Sequence, residues 1–453
     1  MAVNRLVSGR KPVDSLDHHL ASGGGEALMA AEALGPDGVL DELEISGLRG
    51  RGGAGFPTAT KWRSIVAGGA SAGTRFVVAN GAEGEPGTFK DRYLMRRNPY
   101  LLVEGLLIAA RTVGAERAFI ALKASFETER ARLIRAVAEV EDAGWAPDVR
   151  IDLVAGPDEY LFGEEKALLE VIEGEDPLPR MFPPYVYGLF TNSPQMGWSA
   201  GDTLDARAGG SNPTLVNNVE TLCTVPVIVR DGGEAYRTFG TGESPGTFIA
   251  TVSGDTVRHG VDEFEMGTPV AEVLAVLGGG VAGGRSLRYV LSGVANPVLG
   301  AGDLDVPASH EGLEAIGSGL GTGGFIVYDD RTDPIELAAA VSRFLSVESC
   351  GQCPACKLGC GAVTEMLESA PERRLDVGAL SARLRQVSDG ARCYLPTQEQ
   401  RVLASLLPDI RAGVTGETRG LLVTKLVDLG EDRFDIDERQ RHKQPDWTYS
   451  DDV

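Results

Sequence analysis

Residues 75–85, RFVVANGAEGE, contain an apolar run that stops at a polar turn, and this stretch sets the expected fold. The run at 75–79 contains β-branched and aromatic residues and predicts a buried strand. Residues 99–113 then repeat leucines at helical spacing, and 118–122, AFIAL, predict a second strand. Strand, helix and strand in this order predict an α/β domain around a mostly parallel sheet.

Polar side chains follow directly after that first strand. They are Asn80, Glu83 and Glu85. Ligands of such sheets bind outside the carboxyl ends of the strands, so these three side chains would line a crevice. Carboxylates there can accept hydrogen bonds from the hydroxyls of a ribose or ribityl chain. A solvated acidic turn would have the same composition, and the sequence leaves both interpretations open.

A glycine-rich loop precedes this region, at residues 50–55, GRGGAG. Its spacing fits a dinucleotide-binding loop only loosely, because residues 41–48 predict a helix and not the strand that such a loop requires. Its bare backbone amides, together with Arg51 and Lys61, can still approach a phosphate or a flavin. The loop therefore predicts close contact between backbone and ligand.

Two further polar groups stand between apolar residues. They are 160–165, YLFGEE, and 217–221, NNVET. The amides of Asn217 and Asn218 can donate hydrogen bonds to phosphate oxygens. Either group taken alone is also typical of a helix cap.

The cysteines indicate a metal centre. Five of the six lie between 350 and 393, and Cys350, Cys353 and Cys356 form a C-x2-C-x2-C run. This spacing favours a [4Fe–4S] cluster over zinc, which is usually held by two separated C-x2-C arms.

The fourth ligand of that cluster has two candidates. Cys360 continues the run as in small ferredoxins, but Gly361 stands where their proline is expected. Cys393 lies 37 residues beyond Cys356 in a short turn after a helix. We favour Cys393, since a helical bundle can fold a distant turn over the cluster, and Cys360 would then be a buried helical thiol.

The composition limits the classes of partner. At roughly 150 residues per domain, 453 residues predict about three domains. Asp and Glu number 65 against 43 Lys and Arg, and the net charge of −22 disfavours nucleic acid and anionic lipid. The N-terminus lacks a secretory apolar core, and no run of about 18 apolar residues could span a bilayer. The sequence thus predicts a cytoplasmic protein without membrane insertion.

The order of patterns along the chain predicts four regions. Residues 1–240 form the α/β domain, with a surface loop at 191–211. Residues 246–330 alternate short strands with one helix and predict a small α+β module. Residues 331–415 contain four helix candidates and the clustered cysteines, and 416–453 predict a polar tail that runs over the surface.

Taken together, several segments resemble the flavin-bearing, NADH-oxidising subunit of respiratory complex I and the diaphorase subunits of NAD-linked hydrogenases and formate dehydrogenases. The resemblance covers most of residues 40–410, in family order. It is carried by RGRGGAGFPTATKW (49–62), NGAEGEPGTFKDR (80–92), YLFGEEKALLE (160–170), NPTLVNNVET (212–221), VSGDTVRHGV (252–261) and ESCGQCPACKLG (348–359).

The resemblance implies a Rossmann-like FMN-binding domain, a ubiquitin-like β-grasp module of the soluble-ligand-binding type, and a helical domain with one [4Fe–4S] cluster. The implied cluster ligands are Cys350, Cys353, Cys356 and Cys393. Positions around FMN match Gly50, Arg51, Gly52, Gly53, Lys61, Asn80, Glu83, Gly163, Glu164, Asn217 and Asn218. Positions around NADH match Phe56, Glu85, Glu165 and the aromatic Tyr185.

The chain departs from the family at several of these positions. Ala82 replaces an aspartate near the ribityl chain, Phe162 replaces a cysteine, and Phe182 stands where the family has a lysine. Ser64 replaces an aromatic that helps to hold adenine, and residues 191–211 are inserted.

The implied function is electron input: NAD(P)H gives hydride to FMN, and single electrons leave through the cluster to a redox or iron–sulfur subunit or to ferredoxin. No catalytic base is expected, because the cofactor carries the chemistry. Two alternatives are a flavo-iron–sulfur protein with weakened NADH binding that exchanges electrons with ferredoxin, and a non-enzymatic scaffold with a metal staple.

Overall fold

The computed structural model describes residues 5–6, 12–67, 73–191, 211–370 and 375–417, together with the backbone of four short strands between 425 and 451. The chain divides into two compact units. The first contains Met1–Glu83 and Lys90–Phe248, and the second contains Gly84–Phe89 and Ile249–Val453. The inserted segment that we predicted as a surface loop lies almost wholly outside the described residues.

The first unit is a parallel α/β domain, as the alternation of strands and helices predicted. Its helices are α1 (Leu16–Ala21), α2 (Glu26–Ser46), α3 (Thr58–Ala67), α4 (Lys90–Arg97), α5 (Pro99–Val113), α6 (Glu127–Asp142), α7 (Glu165–Ile172), α8 (Val219–Asp231) and α9 (Gly233–Tyr236). Its strands are β1 (Phe76–Gly81), β2 (Arg117–Lys123), β3 (Arg150–Gly156) and β4 (Thr214–Asn218). They form one sheet in the order β3-β2-β1-β4, and every pairing in it is parallel.

The register of this sheet brings two predicted site segments together. Asn80 on β1 pairs with Asn218 on β4, and Ala79 pairs with Asn217. Because both strands run in the same direction, their carboxyl ends meet at one edge of the sheet. The confirmed α/β fold therefore places residues 80 and 217–218 side by side, although 137 residues separate the two asparagines that pair.

Helix α5 covers one face of this sheet and follows its sequence signals closely. Asn98 caps its first turn by accepting from the N–H of Leu101, and Pro99 fits the position after the cap. Gly105 faces α8, where a Cβ would lie 2.0 Å from the Leu222 carbonyl oxygen. The glycine is thus what permits the close approach of α5 and α8.

The second unit begins with a mixed five-stranded sheet. Its elements are β5 (Thr247–Gly254), β6 (Gly260–Glu265), α10 (Val270–Gly278), β7 (Leu287–Leu291), β8 (Leu299–Gly300), α11 (His310–Ala315) and β9 (Gly324–Asp329). The strand order is β6-β5-β9-β7-β8, in which β5 and β9 are parallel and β7 is antiparallel to both β9 and β8. A mixed sheet with α10 is the arrangement expected of the small α+β module.

Four helices follow, as their periodicity predicted. They are α12 (Pro334–Glu348), α13 (Pro354–Glu368), α14 (Val377–Leu384) and α15 (Leu395–Ala412). Their shared interior contains Leu337, Val341, Leu345, Val363, Leu367, Leu380, Leu403 and Leu406, all buried. The α+β module and these helices fall within one compact unit, so the boundary between them at 330–331 remains a prediction.

The region beyond α15 contributes two short antiparallel pairs of strands. These are β10 (Lys425–Leu429) with β11 (Phe434–Asp437), and β12 (Arg441–Lys443) with β13 (Tyr449–Asp451). The rest of the predicted tail lies outside the described residues. Among the described residues, no helix has the length and apolar character needed to cross a membrane.

Candidate functional site

Asn80 links two segments at the carboxyl edge of the parallel sheet. Its Nδ2 donates to the carbonyl oxygen of Gly163 at 2.8 Å, and its Oδ1 accepts from the N–H of Ala82 at 3.2 Å. The side chain therefore holds the turn at 160–163 against the loop that follows β1.

The glycine-rich loop is fixed against β4 and α8 of the same unit. The Arg51 N–H donates to the hydroxyl of Thr221 at 2.9 Å, and a Cβ on Gly52 would lie 3.2 Å from Cβ of Asn218. The Arg51 guanidinium is buried and donates to the Tyr236 hydroxyl and to two backbone carbonyls. The loop therefore has its main chain, and not this side chain, to offer a ligand.

The two asparagines at the end of β4 have different partners. Asn217 accepts from the indole N–H of Trp62 at 2.8 Å. Asn218 caps α8 by accepting from the N–H of Glu220, and its Oδ1 also accepts from Lys90 at 2.9 Å. The predicted helix cap is thus confirmed for Asn218. The side-chain oxygens of both asparagines accept hydrogen bonds from other protein groups.

Lys90 is a buried cation that our sequence analysis did not select. Its ammonium lies 2.8 Å from Asp91, 2.8 Å from Glu220 and 2.9 Å from Asn218 Oδ1. Burial opposes its charge, yet attraction to Asp91 and Glu220 raises the pKa of Lys90 above its usual value. The sequence did contain a signal for this buried cation. Residues 90–92 are three consecutive charged residues close after β1, and an apolar core would not contain them.

Glu83 belongs to the same buried set of charges. Its carboxylate accepts from the backbone N–H of Asp91 at 2.5 Å and from the Arg92 guanidinium at 2.7 Å. The residue has a φ of 34°, an uncommon value for a non-glycine residue. A strained backbone conformation of this kind persists where the surrounding contacts hold the residue in place.

Two adjacent glutamates begin α7 and have different partners. Glu164 caps the helix by accepting from the N–H groups of Lys166 and Ala167, and burial raises its pKa to about 7 against the opposing effect of Lys166. Glu165 accepts from the Lys61 ammonium at 2.8 Å. One predicted FMN residue and one predicted NADH residue are therefore in direct contact.

The aromatic side chains expected near NADH are available at the surface of the first unit. The side chains of Phe56 and Tyr185 are 54% and 51% exposed, unusual for large apolar groups. An exposed ring can stack on a nicotinamide or an adenine. Ser64 instead donates its hydroxyl to the Lys61 carbonyl, so this position offers no such ring.

Glu85 and Ala82 occupy different surroundings. Glu85 belongs to the second unit, where its carboxylate accepts from the N–H of Val294 at 2.5 Å. Ala82 is fully buried in the first unit, in an apolar cluster that includes Phe162. The carboxylate that the family places at this position is therefore replaced by apolar packing.

The residues of the first unit fit a flavin mononucleotide. Gly163 leaves room at the sheet edge, since among the described residues a Cβ there would come within 4 Å of Ala82 alone, at 3.8 Å. Lys61 supplies a cation of intermediate exposure, and the glycine loop supplies close main-chain approach. A cation, bare amides and open space at the carboxyl edge are the requirements of a phosphate-bearing ring cofactor.

Three of the four predicted cluster ligands lie around the start of α13, and their sulfurs receive hydrogen bonds. Ser349 Oγ lies 3.2 Å from Cys356 Sγ, and Gln352 Nε2 lies 3.7 Å from Cys350 Sγ. The backbone N–H of Arg392 donates to Cys353 Sγ at 3.4 Å. That last bond brings the turn containing Cys393 to the first three cysteines, as our preferred assignment requires.

Cys360 has different surroundings. Its side chain is fully buried within α13, whereas Cys393 is partly exposed. Four candidate cysteines, three of whose sulfurs hydrogen-bond to Ser349, Gln352 and the Arg392 N–H, fit an iron–sulfur cluster. No group of three or more His, Cys, Asp or Glu side chains within the described part of the chain is arranged to hold a single metal ion.

A flavin-binding parallel sheet joined to a helical, cysteine-bearing unit defines a class of protein, the flavo-iron–sulfur oxidoreductases. Residues 43–227 match the Nuo51 FMN-binding domain, and 336–415 match the NADH-ubiquinone oxidoreductase-F iron-sulfur binding region. An NADH-quinone oxidoreductase F-type subunit of Rhizobium meliloti is 36% identical over 383 residues, which cover 81% of this chain and 85% of the relative. The F-type subunit of Aquifex aeolicus is 36% identical over 373 residues, with 80% and 81% covered.

A solved NAD+-reducing [NiFe]-hydrogenase in the H2-reduced state matches with a TM-score of 0.75 and 31% identity, over 90% of this chain and 67% of that one. The chain therefore belongs to the NADH-quinone oxidoreductase-F family. It is an oxidoreductase of the NADH dehydrogenase type, with FMN and an iron–sulfur cluster as cofactors. The family resemblance, the fold class and both cofactors are thus confirmed.

Proposed function

We propose that this chain oxidises NADH at an FMN held on the carboxyl edge of the parallel sheet and delivers the electrons through a [4Fe–4S] cluster to a protein partner. The observation that carries this proposal is the meeting of Asn80, Asn218 and the glycine loop at one edge of a sheet whose register is parallel throughout. When bound, FMN accepts the hydride of NADH and the cluster transfers electrons singly.

The FMN site would be built from main-chain amides and one cation. The backbone of Gly50, Gly52 and Gly53 and the Lys61 ammonium are suited to the phosphate and the ring. Asn80 positions Gly163 through its 2.8 Å hydrogen bond, and Lys90 positions Asn218 by donating to its Oδ1 at 2.9 Å. These polar groups are buried or partly buried, which strengthens their electrostatic effect.

The NADH site would use exposed side chains of the first unit. Phe56 and Tyr185 can stack on the nicotinamide or adenine ring, and Glu165 can accept from ribose hydroxyls. Lys61 partly neutralises Glu165 at 2.8 Å, which lowers the repulsion between this carboxylate and the dinucleotide phosphates.

The cluster would be held by Cys350, Cys353, Cys356 and Cys393. The hydrogen bond from Arg392 N–H to Cys353 supports the inclusion of Cys393. The matched relatives are parts of larger enzymes, which supports a redox or iron–sulfur subunit as the electron acceptor. Reduced cysteines of this kind suit the cytoplasm.

The test is an anaerobic titration of the purified chain with NADH, followed by bleaching of the visible flavin absorption. Rapid bleaching at stoichiometric NADH, with about one FMN and four irons per chain, is the expected result. A chain that contains no flavin would refute the proposal.

A second candidate is electron exchange with ferredoxin at an FMN site that binds NADH weakly. Two observations favour it: the apolar packing of Ala82 where the family has a carboxylate, and the Ser64 hydroxyl where the family has a ring. The same titration tests this alternative. It would be supported if the flavin stayed oxidised with NADH but was bleached by dithionite or by reduced ferredoxin.

A further inference from the structure

The side chain of Asn217 has one polar atom that is bound by the protein and one that is not. Its Oδ1 accepts from the indole N–H of Trp62 at 2.8 Å, and its Nδ2 makes no hydrogen bond within the described part of the chain. The residue is only 6% exposed and lies next to the carboxyl end of β4. Buried donors without a protein partner at this edge of a parallel sheet indicate a ligand that supplies acceptor atoms.

The chemistry of Trp62 determines which way the Asn217 amide is turned. An indole N–H can only donate a hydrogen bond, so the amide atom beside it must be the oxygen. The two N–H groups of the same amide are then directed to the other side. In the flipped amide, N–H would face N–H, and the buried indole would lose its acceptor.

Trp62 is itself fixed in position. It has no exposed surface, and its helix, α3, packs against β4. A close-packed interior leaves no room for an indole ring to rotate away, so its N–H stays directed at Asn217. The preceding residue on α3 is Lys61, the cation of the proposed FMN site. One helix therefore supplies both the cation and the group that orients the amide.

The adjacent asparagine is bound differently. The Oδ1 of Asn218 accepts from Lys90 and from the N–H of Glu220, and its Nδ2 donates to Asp91 at 2.6 Å. Both ends of this amide are therefore engaged within the protein. Asn217 has both of its Nδ2 hydrogens available for a ligand, whereas Asn218 has already used one.

A phosphate oxygen is the acceptor that the position of Asn217 favours. The residue directly precedes the cap of α8, a helix of 13 residues. The N-terminus of a helix favours negative charge, because its first N–H groups and its dipole are directed outward. The carbonyl oxygens of a flavin ring also accept hydrogen bonds, but they carry no full charge for this helix end to stabilise.

We propose that Trp62 is a positioning residue that holds the Asn217 amide with its two N–H donors directed at the phosphate of FMN. The inference rests on the FMN site of the proposed function. It adds to that site a residue that acts on the ligand through another side chain, and it assigns the main donor role of the asparagine pair to Asn217.

The test is fluorescence titration of the flavin-free, full-length protein with FMN and, separately, with riboflavin, which lacks the phosphate. Trp62→Phe removes the N–H but keeps an aromatic ring, and it should weaken FMN binding by about five- to tenfold. Its riboflavin affinity should stay within about twofold of the parent, because only the phosphate contact depends on the amide.

Asn217→Asp keeps the acceptor for Trp62 but replaces both donors by an oxygen that repels phosphate. It should weaken FMN binding more than Trp62→Phe does, again with little change for riboflavin. The double variant should bind FMN no more weakly than Asn217→Asp alone, because two changes that act through one contact are not additive. Additive losses would overturn the proposal.

Trp145→Phe is the matched control. Trp145 lies in the same unit, where its ring is 6.2 Å from that of His19, and its loss should leave both flavin affinities at the parent values. Equal losses for FMN and riboflavin in Trp62→Phe would indicate a general disturbance of the fold and refute the proposal, as would an unchanged FMN affinity.

The variant Asn217→Asp keeps the proposal testable if Trp62→Phe does not fold. An unchanged ratio of FMN to riboflavin affinity in Asn217→Asp would remove the phosphate contact and with it the role of Trp62. A parent chain that binds neither flavin would instead contradict the proposed function itself, so the two failures are distinguishable.

Discussion

The ammonium of Lys61 lies 2.8 Å from the carboxylate of Glu165, so the helix after the glycine loop and the start of α7 are joined by a partly exposed ion pair. Lys61 was predicted to contact FMN and Glu165 to contact NADH. Their contact means that the two predicted sites share a charge pair, and that changing either partner alters the electrostatics of both.

Lys61→Met should weaken FMN binding by about tenfold or more, because a charge-assisted hydrogen bond is worth roughly 1.5–3 kcal/mol. The measurement is fluorescence titration of the flavin-free protein with FMN. Lys123→Met is the control: Lys123 ends β2 at the same edge of the sheet, but its ammonium lies 6.0 Å from the Phe126 ring centroid. Equal FMN affinity in the two variants would refute a role for Lys61.

Glu85→Ala should raise the NADH concentration needed to bleach the flavin while FMN content stays at the parent level. The expected cause is loss of the carboxylate that the family resemblance assigns to the NADH site. Because this carboxylate also accepts from Val294 N–H, Glu85→Gln separates charge from loop anchoring by keeping an acceptor. A Glu85→Ala variant that titrates like the parent would remove Glu85 from the NADH site.

Cys393→Ala should lose most of its iron, because a ligand from the 392–394 turn is needed to complete the cluster. The readout is the number of irons per chain, with FMN content as the measure of folding in the first unit. Cys223→Ala should retain four irons. Full retention of iron in Cys393→Ala would assign the fourth position to another group.

Glu399→Gln should flatten the dependence of stability on pH. The pKa of Glu399 is raised from 4.5 to about 7, so the folded chain keeps a proton that the unfolded chain has released. The contribution of Glu399 to stability is therefore fully present below pH 4.5 and is lost as pH rises toward 7, by on the order of 3 kcal/mol. Urea unfolding between pH 5 and pH 8 should show a smaller fall in Glu399→Gln than in the parent, while Glu164, whose pKa is also raised to about 7, contributes a fall in both.

The exposed Glu365, on α13, provides the matched control for that measurement. Glu365→Gln removes a carboxylate of the same size from the surface and should keep the slope of the parent. A slope that is the same in all three proteins would contradict a buried, protonated Glu399.

Gly105→Ala should destabilise the first unit by about 1–3 kcal/mol, because the new Cβ would lie 2.0 Å from the Leu222 carbonyl oxygen and must force α5 and α8 apart. Gly361→Ala, in α13, is the control, since its Cβ would meet Ser346 Oγ at an ordinary 3.7 Å. Alanine there should be neutral or stabilising. Thermal unfolding of both variants distinguishes close packing from helix propensity.

Local patterns were sufficient to predict the elements of this fold. Asn98 and Pro99 start α5, and Gly114 ends it in the left-handed conformation, so the helix occupies the residues that its spacing indicated. The C-x2-C-x2-C run likewise indicated a cluster, because three ligands within seven residues need no tertiary contact to come close. The family was identified from short segments of sequence that resemble those of known members.

Contacts between distant residues could not be predicted in this way. The burial of the Arg51 guanidinium, the ion pair of Lys61 with Glu165 and the charges around Lys90 each join segments far apart in sequence. The sequence around a charged residue does not show whether its side chain contacts a ligand, solvent or an opposite charge. Its neighbours in the folded structure determine which of these it contacts.

The sequence by itself determined the class of fold and the iron–sulfur cluster, because spacing along the chain fixes helix, strand and C-x2-C geometry. The family and its FMN followed from the resemblance of whole segments to known proteins. Only the tertiary structure decided that Asn80 pairs with Asn218, that Arg392 reaches Cys353, and that Ser342 donates to the buried Glu399. These contacts result from the parallel register of the strands and from the packing of the helices. Both depend on the whole folded chain.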